Sequence, residues 1–212
     1  MLKRHFVAGL FLFALLAVLY TSCGETDNGG APPKMTYNDA EQAMLKQGQE
    51  IAQAGFKVLS ARLAAAIEKD GVNGAIPVCK EAAMSITDSL SKAVGLVVRR
   101  TSHKVRNIAN APDGIDKLMA DYFTNFIDAD KQWKPVLLPM KTRKEYRGYY
   151  PIIMNGQCSS CHGVVEKDIP NDTYELILQQ YPSDQAVNFF PGSLRGMWVV
   201  TFNEDPAEVS GS

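Results

Sequence analysis

The feature that most constrains this chain is one short stretch, Cys158-Ser159-Ser160-Cys161-His162. Two thiols three residues apart on a tight turn can add to the two vinyl groups on one side of a porphyrin, and the next residue, histidine, then lies beneath the iron. This C-x-x-C-H pattern is that of covalent c-type haem attachment. The 212-residue chain contains only four cysteines and three histidines, so the pattern is specific. It predicts one covalent haem c, with thioether bonds at Cys158 and Cys161 and with His162 as an axial ligand.

The cysteine pair has three alternative interpretations. A zinc site would need a second cysteine pair or two further close ligands, and only Cys79 and His103 are available. A thioredoxin-like dithiol usually follows an early strand, whereas this pair lies late in the chain. A disulfide between Cys158 and Cys161 would close almost no loop and would stabilise little. Covalent haem is therefore the favoured interpretation.

The first 22 residues have the pattern of an export signal. Lys3 and Arg4 precede an apolar stretch over 6–20 and then small residues. The stretch is shorter than the roughly 20 residues of a permanent membrane helix. Ser22-Cys23-Gly24 resembles a bacterial lipobox, which predicts that Cys23 becomes a lipidated N-terminus anchored in a membrane. The alternative is an ordinary secreted protein with an unused cysteine.

Residues 23–38 are polar and rich in glycine and proline, which predicts a flexible tether. The expected location is the periplasm or the outer membrane, including display at the cell surface. The chain has 22 basic and 23 acidic residues. Loss of residues 1–22 removes Lys3 and Arg4 but no acid, so the net charge becomes −3. A mildly acidic chain lacks the basic surface of a nucleic-acid binder.

Apolar residues at steps of three and four predict helices in the first two thirds of the chain. One long helix is predicted from about Asp39 to Lys69, ending at Asp70-Gly71, with an apolar stripe of Phe56, Leu59, Leu63 and Ile67. Pro77 predicts the start of a second helix, whose apolar face would be Cys79, Ala82 or Ala83, Ile86 and Leu90. A third helix is predicted through Ile115, Leu118, Met119, Tyr122, Phe123 and Phe126.

The C-terminal third changes to a strand pattern. Strands are predicted at 94–98, 136–140, 146–154 and 196–202, a loop at 107–114 and a short helix at 174–180. Helices followed by an antiparallel sheet predict an α+β domain, here over residues 39–212.

The residues alone leave the second axial ligand open. The candidates are Cys79, His103 and the methionines, although scattered apolar methionines usually fill a core. His103 lies in a charged stretch and is expected to face solvent. If Pro77 opens a helix, Cys79 lies in its first turn beside Lys80, where the helix dipole and the cation favour a thiolate. The alternative is a small apolar thiol buried on a helix face.

A longer pattern points to a family. One stretch resembles a signature of the PAS-like c-type haem domains. It is Arg99-Arg100-Thr101-Ser102-His103-Lys104-Val105-Arg106-Asn107-Ile108-Ala109-Asn110-Ala111-Pro112-Asp113. These occur in bacteria alone or as sensor modules. Three further segments match the family pattern in the right order, so that the resemblance covers about residues 40–205. They are Ala75-Ile76-Pro77-Val78-Cys79, Cys158 to Gly163 and Leu194-Arg195-Gly196. Ile108 replaces the commoner proline, and Phe189-Phe190-Pro191-Gly192 departs from a usual glycine-rich segment.

The resemblance implies a fold and a ligand set. The fold would be a PAS-like antiparallel sheet with a long N-terminal helix and flanking helices. The iron would be held by His162 and Cys79, and a thiolate ligand would lower its reduction potential. Arginine pairs with carboxylates. The expected partners of the haem propionates are therefore Arg99, Arg100, Arg106 and Asn107. The alternative is that these residues form a solvated basic face and structural caps.

These expectations favour an extracytoplasmic haem c protein that acts in single-electron transfer or in redox or ligand sensing, with a separate redox or signalling protein as partner. Two filled axial positions argue against catalysis. One alternative is a haem peroxidase-like enzyme, with His103 and Arg106 on an open distal side. Another is a PAS-like binding module without haem, whose cysteine pair is oxidised.

Overall fold

The computed structural model describes residues 35–125, 133–140 and 145–203. The predicted export signal, Cys23 and most of the predicted tether lie outside the described residues, as does Phe126. No helix in the described ranges is both long enough and apolar enough to span a membrane.

Helix α1 (Asp39–Val94) reverses direction at Gly71. The helix starts with a capping box, in which Asn38 and Glu41 bind each other's backbone N–H. Gly71 has φ 73°, a left-handed conformation that favours glycine. Gly55 lies against Leu90, although 35 residues of straight helix would separate them by about 50 Å. The two halves, 39–70 and 72–94, therefore fold back on one another.

The helix break confirms the predicted end at Asp70-Gly71, but the predicted start of the second helix at Pro77 is wrong. The second half resumes directly after Gly71, and Pro77 lies inside it. Cys79 is consequently beyond the first helical turn, where the effect of the helix dipole is concentrated. Lys80 also points away to Gln180, whose backbone carbonyl accepts from its Nζ at 3.2 Å. The local argument for a Cys79 thiolate therefore fails.

The buried face of α1 is formed largely by small residues, which the predicted stripe missed. Of that stripe, Leu59 is buried, but Phe56 is 43 % and Ile67 39 % exposed. A Cβ at Gly48 would overlap the ring of Tyr150, and one at Gly55 would lie 2.6 Å from Trp198. The small residues are needed because two large aromatic rings of the sheet pack directly on the helix backbone.

The sheet has four antiparallel strands in the order β1-β4-β3-β2. They are β1 (Val97–Thr101), β2 (Val136–Met140), β3 (Glu145–Ile153) and β4 (Leu194–Phe202). Trp198, Val200 and Phe202 of β4 pack on α1. Met197 and Val199, which alternate with them, pack on the other face against α2 (Gly114–Asn125). The sheet is therefore covered by a helix on each face, and the predicted α+β class is confirmed.

The last three predicted strands and the short helix agree with the structure to within three residues at each end, the helix being α4 (Asn171–Gln180). The first predicted strand, 94–98, is present but starts and ends three residues later, at Val97–Thr101. Val94 is the last residue of α1, Gly95 caps it at φ 68°, and the strand starts only at Val97. The shift places Arg99 and Arg100 within β1.

The buried face of α1 leads to a test with two substitutions three residues apart. Leu59→Ala should lower the free energy of unfolding by about 3 kcal/mol, because it leaves a cavity in the core. Phe56→Ala should cost less than about 1 kcal/mol, because much of that ring is already in water. Urea unfolding of both variants measures the difference. Equal losses would contradict the assignment of the helix face.

Candidate functional site

Cys158 and Cys161 lie on one helical turn. Asn155 begins this turn. The Oδ1 of Asn155 accepts from the backbone N–H of Cys158 at 3.2 Å and lies 3.1 Å from the Sγ of Cys158. A 3₁₀ turn (Gly156–Cys158) then runs into α3 (Ser159–His162). Side chains three residues apart share one side of a helical turn. The two thiols, both free cysteines in the structure, therefore face the same direction.

Gly163 closes this turn. Its N–H donates to the Ser159 carbonyl at 2.8 Å. A Cβ at this position would lie 2.6 Å from both that carbonyl oxygen and the Cβ of Asp168. The carboxylate of Asp168 in turn accepts from Val164 N–H at 2.8 Å. Only glycine fits here, so the residue after His162 is constrained by packing.

The imidazole of His162 is held by a backbone carbonyl. Its Nδ1 lies 2.7 Å from the oxygen of Ala186. A carbonyl only accepts, so Nδ1 carries the proton and Nε2 keeps its lone pair. Burial, together with the cations Arg195 and Arg106, holds the pKa of His162 well below its usual value. The ring is therefore neutral with Nε2 available, the form that binds a metal.

Arg106 ties the segment containing His162 to the loop that carries Ala186. Its Nε and Nη2 donate to the two carboxylate oxygens of Asp184 at 3.1 and 3.2 Å. The two N–H groups of Nη2 are shared between that carboxylate and the carbonyls of Cys161 and, at 3.2 Å, Ala186. The side chain of Asp184 is fully buried. These bonds make Arg106 a positioning residue on the side of His162, rather than a side chain free to meet a propionate.

The fold brings Cys79 to the same place. The charge of its thiolate would raise the pKa values of Arg100, Cys161, Tyr181 and Arg195, so it lies within electrostatic reach of all four. Burial raises the pKa of the Cys161 thiol; Arg106 opposes this effect, and Cys79 adds to it. Cys79, from a distant part of the sequence, therefore lies within electrostatic range of Cys161.

Two arginines contribute unsatisfied donors. The Nε atoms of Arg100 and Arg195 are buried without a hydrogen-bond partner. Burial and the neighbouring cations Arg106 and Arg100 lower the pKa of Arg195 to about 9, and burial also lowers the pKa of Arg100. Buried cations with unsatisfied donors favour an anionic partner. The carboxylates of a haem would supply one.

Arg99 and Asn107 have other partners. Successive residues of a strand face opposite sides of the sheet, so Arg100 contacts Trp198 on the side of α1 while Arg99 faces α2. There Arg99 donates to Asp116 at 2.7 Å. Asn107 accepts from Ala109 N–H at 3.0 Å and caps a 3₁₀ turn. The structure thus gives both residues roles in folding, and of the two adjacent arginines Arg100 lies on the α1 side of the sheet.

His103 is exposed, as the sequence predicted. Its ring lies 6.1 Å from Phe189, and His162 lies 6.4 Å from that same ring, both in edge arrangements. Phe189 itself is buried. Lys104 and Arg195 cover Phe189 at 5.0 Å each. The aromatic ring therefore packs against the imidazole of His162, and His103 contacts its outer part.

Sequence reasoning missed four residues that build the site: Tyr181, Asp184, Ala186 and Arg195. Arg195 stands in the matched Leu194-Arg195-Gly196, and that match is the signal from which it could have been found. Its position follows from Ser102, whose Oγ donates to the Arg195 carbonyl at 2.8 Å. No pattern marked the other three, because Ala186 acts through its backbone, and Tyr181 and Asp184 act through contacts distant in sequence.

The described residues fit a c-type haem. They supply two thiols on one turn, a neutral imidazole with Nε2 available, a third thiol on α1 and two arginines whose buried Nε atoms have no hydrogen-bond partner. Within the same ranges no group of three or more His, Cys, Asp or Glu side chains suits a metal ion. A structural zinc site needs four such ligands.

The close packing at Gly163 is testable. Gly163→Ala should lower the free energy of unfolding by about 1–3 kcal/mol, because the added methyl group collides with a backbone carbonyl. Gly156→Ala, two residues before Cys158, is the control, because nothing lies within 4 Å of a Cβ there. It should change stability by less than about 1 kcal/mol. Urea unfolding compares the two, and a tolerated Gly163→Ala would contradict the packing.

A family model described as Tll0287-like matches residues 34–203. The fold is similar to that in the crystal structure of the cyanobacterial heme-protein Tll0287, with a TM-score of 0.55, 22 % sequence identity and coverage of 80 % of this chain and 98 % of that chain. No curated protein matches significantly. The match confirms the family resemblance seen in the sequence. The chain belongs to the Tll0287-like family.

Proposed function

We propose that this protein binds one covalent haem c and acts outside the cytoplasm in single-electron transfer or in redox or ligand sensing. The observation that carries the proposal is the turn 158–162, where two aligned thiols precede an imidazole whose Nδ1 is already bonded to Ala186. Haem held there would supply an iron that changes between the ferric and ferrous states. The relative with a similar fold is described as a heme-protein, which supports the same cofactor.

Each residue then has a defined task. Cys158 and Cys161 form the thioethers, and His162 binds the iron through Nε2. Cys79 is the proposed second ligand, because the family resemblance points to it and because it lies within electrostatic range of Cys161. Arg100 and Arg195 pair with the propionates through donors that are unsatisfied in the protein itself. Two protein ligands on one iron leave no open position for a substrate, which supports electron transfer or sensing rather than catalysis.

The peroxidase-like alternative needs an arginine opposite His162. Arg106 instead donates to the carbonyl of Cys161, next to His162 in the chain, and is bonded to Asp184. That arrangement is unfavourable for a distal catalytic role. The alternative without haem offers no partner for the buried Nε atoms of Arg100 and Arg195.

Covalent haem is tested by peroxidase staining of a denaturing gel after expression with a c-type haem attachment system. The wild-type protein should stain, and Cys158→Ser or Cys161→Ser should weaken or abolish the stain, because each removes one thioether. Ser159→Ala, on the same turn, is the control and should stain normally. An unstained wild-type protein, or full staining of Cys158→Ser, would contradict the proposal.

The absorption spectra of the same preparations test the axial ligands. His162→Ala and Cys79→Ala should keep covalent haem and change the spectrum of the low-spin ferric form, because each removes an axial ligand. Met84→Ala removes an exposed methionine of α1; it tests whether this methionine is the ligand instead and should leave the spectrum unchanged. A Cys79→Ala protein with the wild-type spectrum would exclude thiolate ligation.

The proposed location rests on the sequence of residues 1–23. We infer that Cys23 is lipidated and anchors the protein to a membrane of the cell envelope. Cys23→Ser should move the protein from the membrane fraction to the soluble fraction after cell lysis, because the acyl chains supply the anchor. Cys79→Ser keeps the same number of cysteines and should remain with the membrane. A Cys23→Ser protein that stays membrane-bound would contradict the lipid anchor.

A further inference from the structure

The carbonyl of Ala186 accepts two hydrogen bonds. One comes from Nδ1 of His162 at 2.7 Å, and the other comes from Nη2 of Arg106 at 3.2 Å. A carbonyl oxygen has two lone pairs, so both bonds can form together. The guanidinium is a cation, and it draws electron density from the oxygen that the imidazole also uses. Arg106 therefore weakens the acceptor that would otherwise increase the electron density on His162.

The position of Arg106 is fixed by Asp184. Both carboxylate oxygens of Asp184 contact the guanidinium, and one of them also accepts from Ala186 N–H at 2.9 Å. The side chain of Arg106 is 10 % exposed and that of Asp184 is 0 % exposed. Buried charges are little screened by salt. The pair therefore acts on His162 both through Ala186 and through its electric field.

We propose that the Arg106–Asp184 ion pair sets the reduction potential of the iron held by His162. This inference rests on the proposed function, since it needs bound haem. Arg106 raises the potential, because a nearby cation disfavours ferric iron and because competition at Ala186 makes His162 a weaker electron donor. Asp184 lowers it, because its negative charge offsets that cation. The two residues of one ion pair thus act with opposite sign.

Potentiometric titration of the full-length haem protein tests the inference. Arg106→Gln should shift the midpoint potential downward, and Asp184→Asn should shift it upward. Arg106→Lys keeps the charge and should give a smaller downward shift than Arg106→Gln. Arg99→Gln is the matched control, because that arginine is bonded to Asp116 on the other face of the sheet. It should leave the potential close to that of the wild-type protein.

A purely structural role for the ion pair would give a different pattern. Breaking the pair from either side would then disturb the site in the same way, and the two potentials would shift in the same direction or not at all. That result would overturn the inference, as would loss of covalent haem from both the Arg106→Gln and the Asp184→Asn proteins. A wild-type protein without covalent haem on the stained gel would instead contradict the proposed function itself.

Discussion

The buried ion pair between Arg106 and Asp184 is the interaction on which the rest of the site depends. It joins the signature segment after β1, the C-x-x-C-H turn and the loop that carries Ala186. Backbone bonds support the same junction, because Gln185 N–H donates to the Val105 carbonyl and Phe189 N–H donates to the His162 carbonyl. A buried charge pair is stable only when its remaining hydrogen bonds are also satisfied, and here carbonyls of the two joined segments satisfy them. The orientation of His162 follows, because its acceptor belongs to the same network.

A second constraint is the reversal of α1 at Gly71. The two halves pack together, and the second half brings Cys79 within electrostatic range of Cys161. The sheet between α1 and α2 then separates two sets of polar residues. Arg100 faces the site, whereas Arg99 binds Asp116 on the opposite side. Adjacent residues of one signature motif thus act in different places, one near the proposed cofactor and one in holding α2 to the sheet.

Much of the fold was predictable because its signals are local. The last three strands, α4 and the break at Gly71 follow from alternation, helical spacing and an Asp-Gly pair. The helix face and the first strand were less predictable. No sequence pattern marks Gly48, Ala52 and Gly55 as core residues. Their small size matters only because the large rings of Tyr150 and Trp198 pack on them. Val94 looked like a strand residue because β-branched side chains favour strands, yet the helix continues to it and ends at Gly95.

By itself, the sequence determined the C-x-x-C-H motif, the α+β class and the family, because each depends on residue types at fixed short spacings. Only the tertiary structure decided which residues surround that turn. It brought Arg195 and Asp184 to His162, separated Arg99 from Arg100 and showed that Cys79 does not owe its place to a helix start. The physical reason is that the hydrogen bonds and buried charges of the site are satisfied between segments distant in sequence. Local sequence patterns do not predict which distant residues will pair.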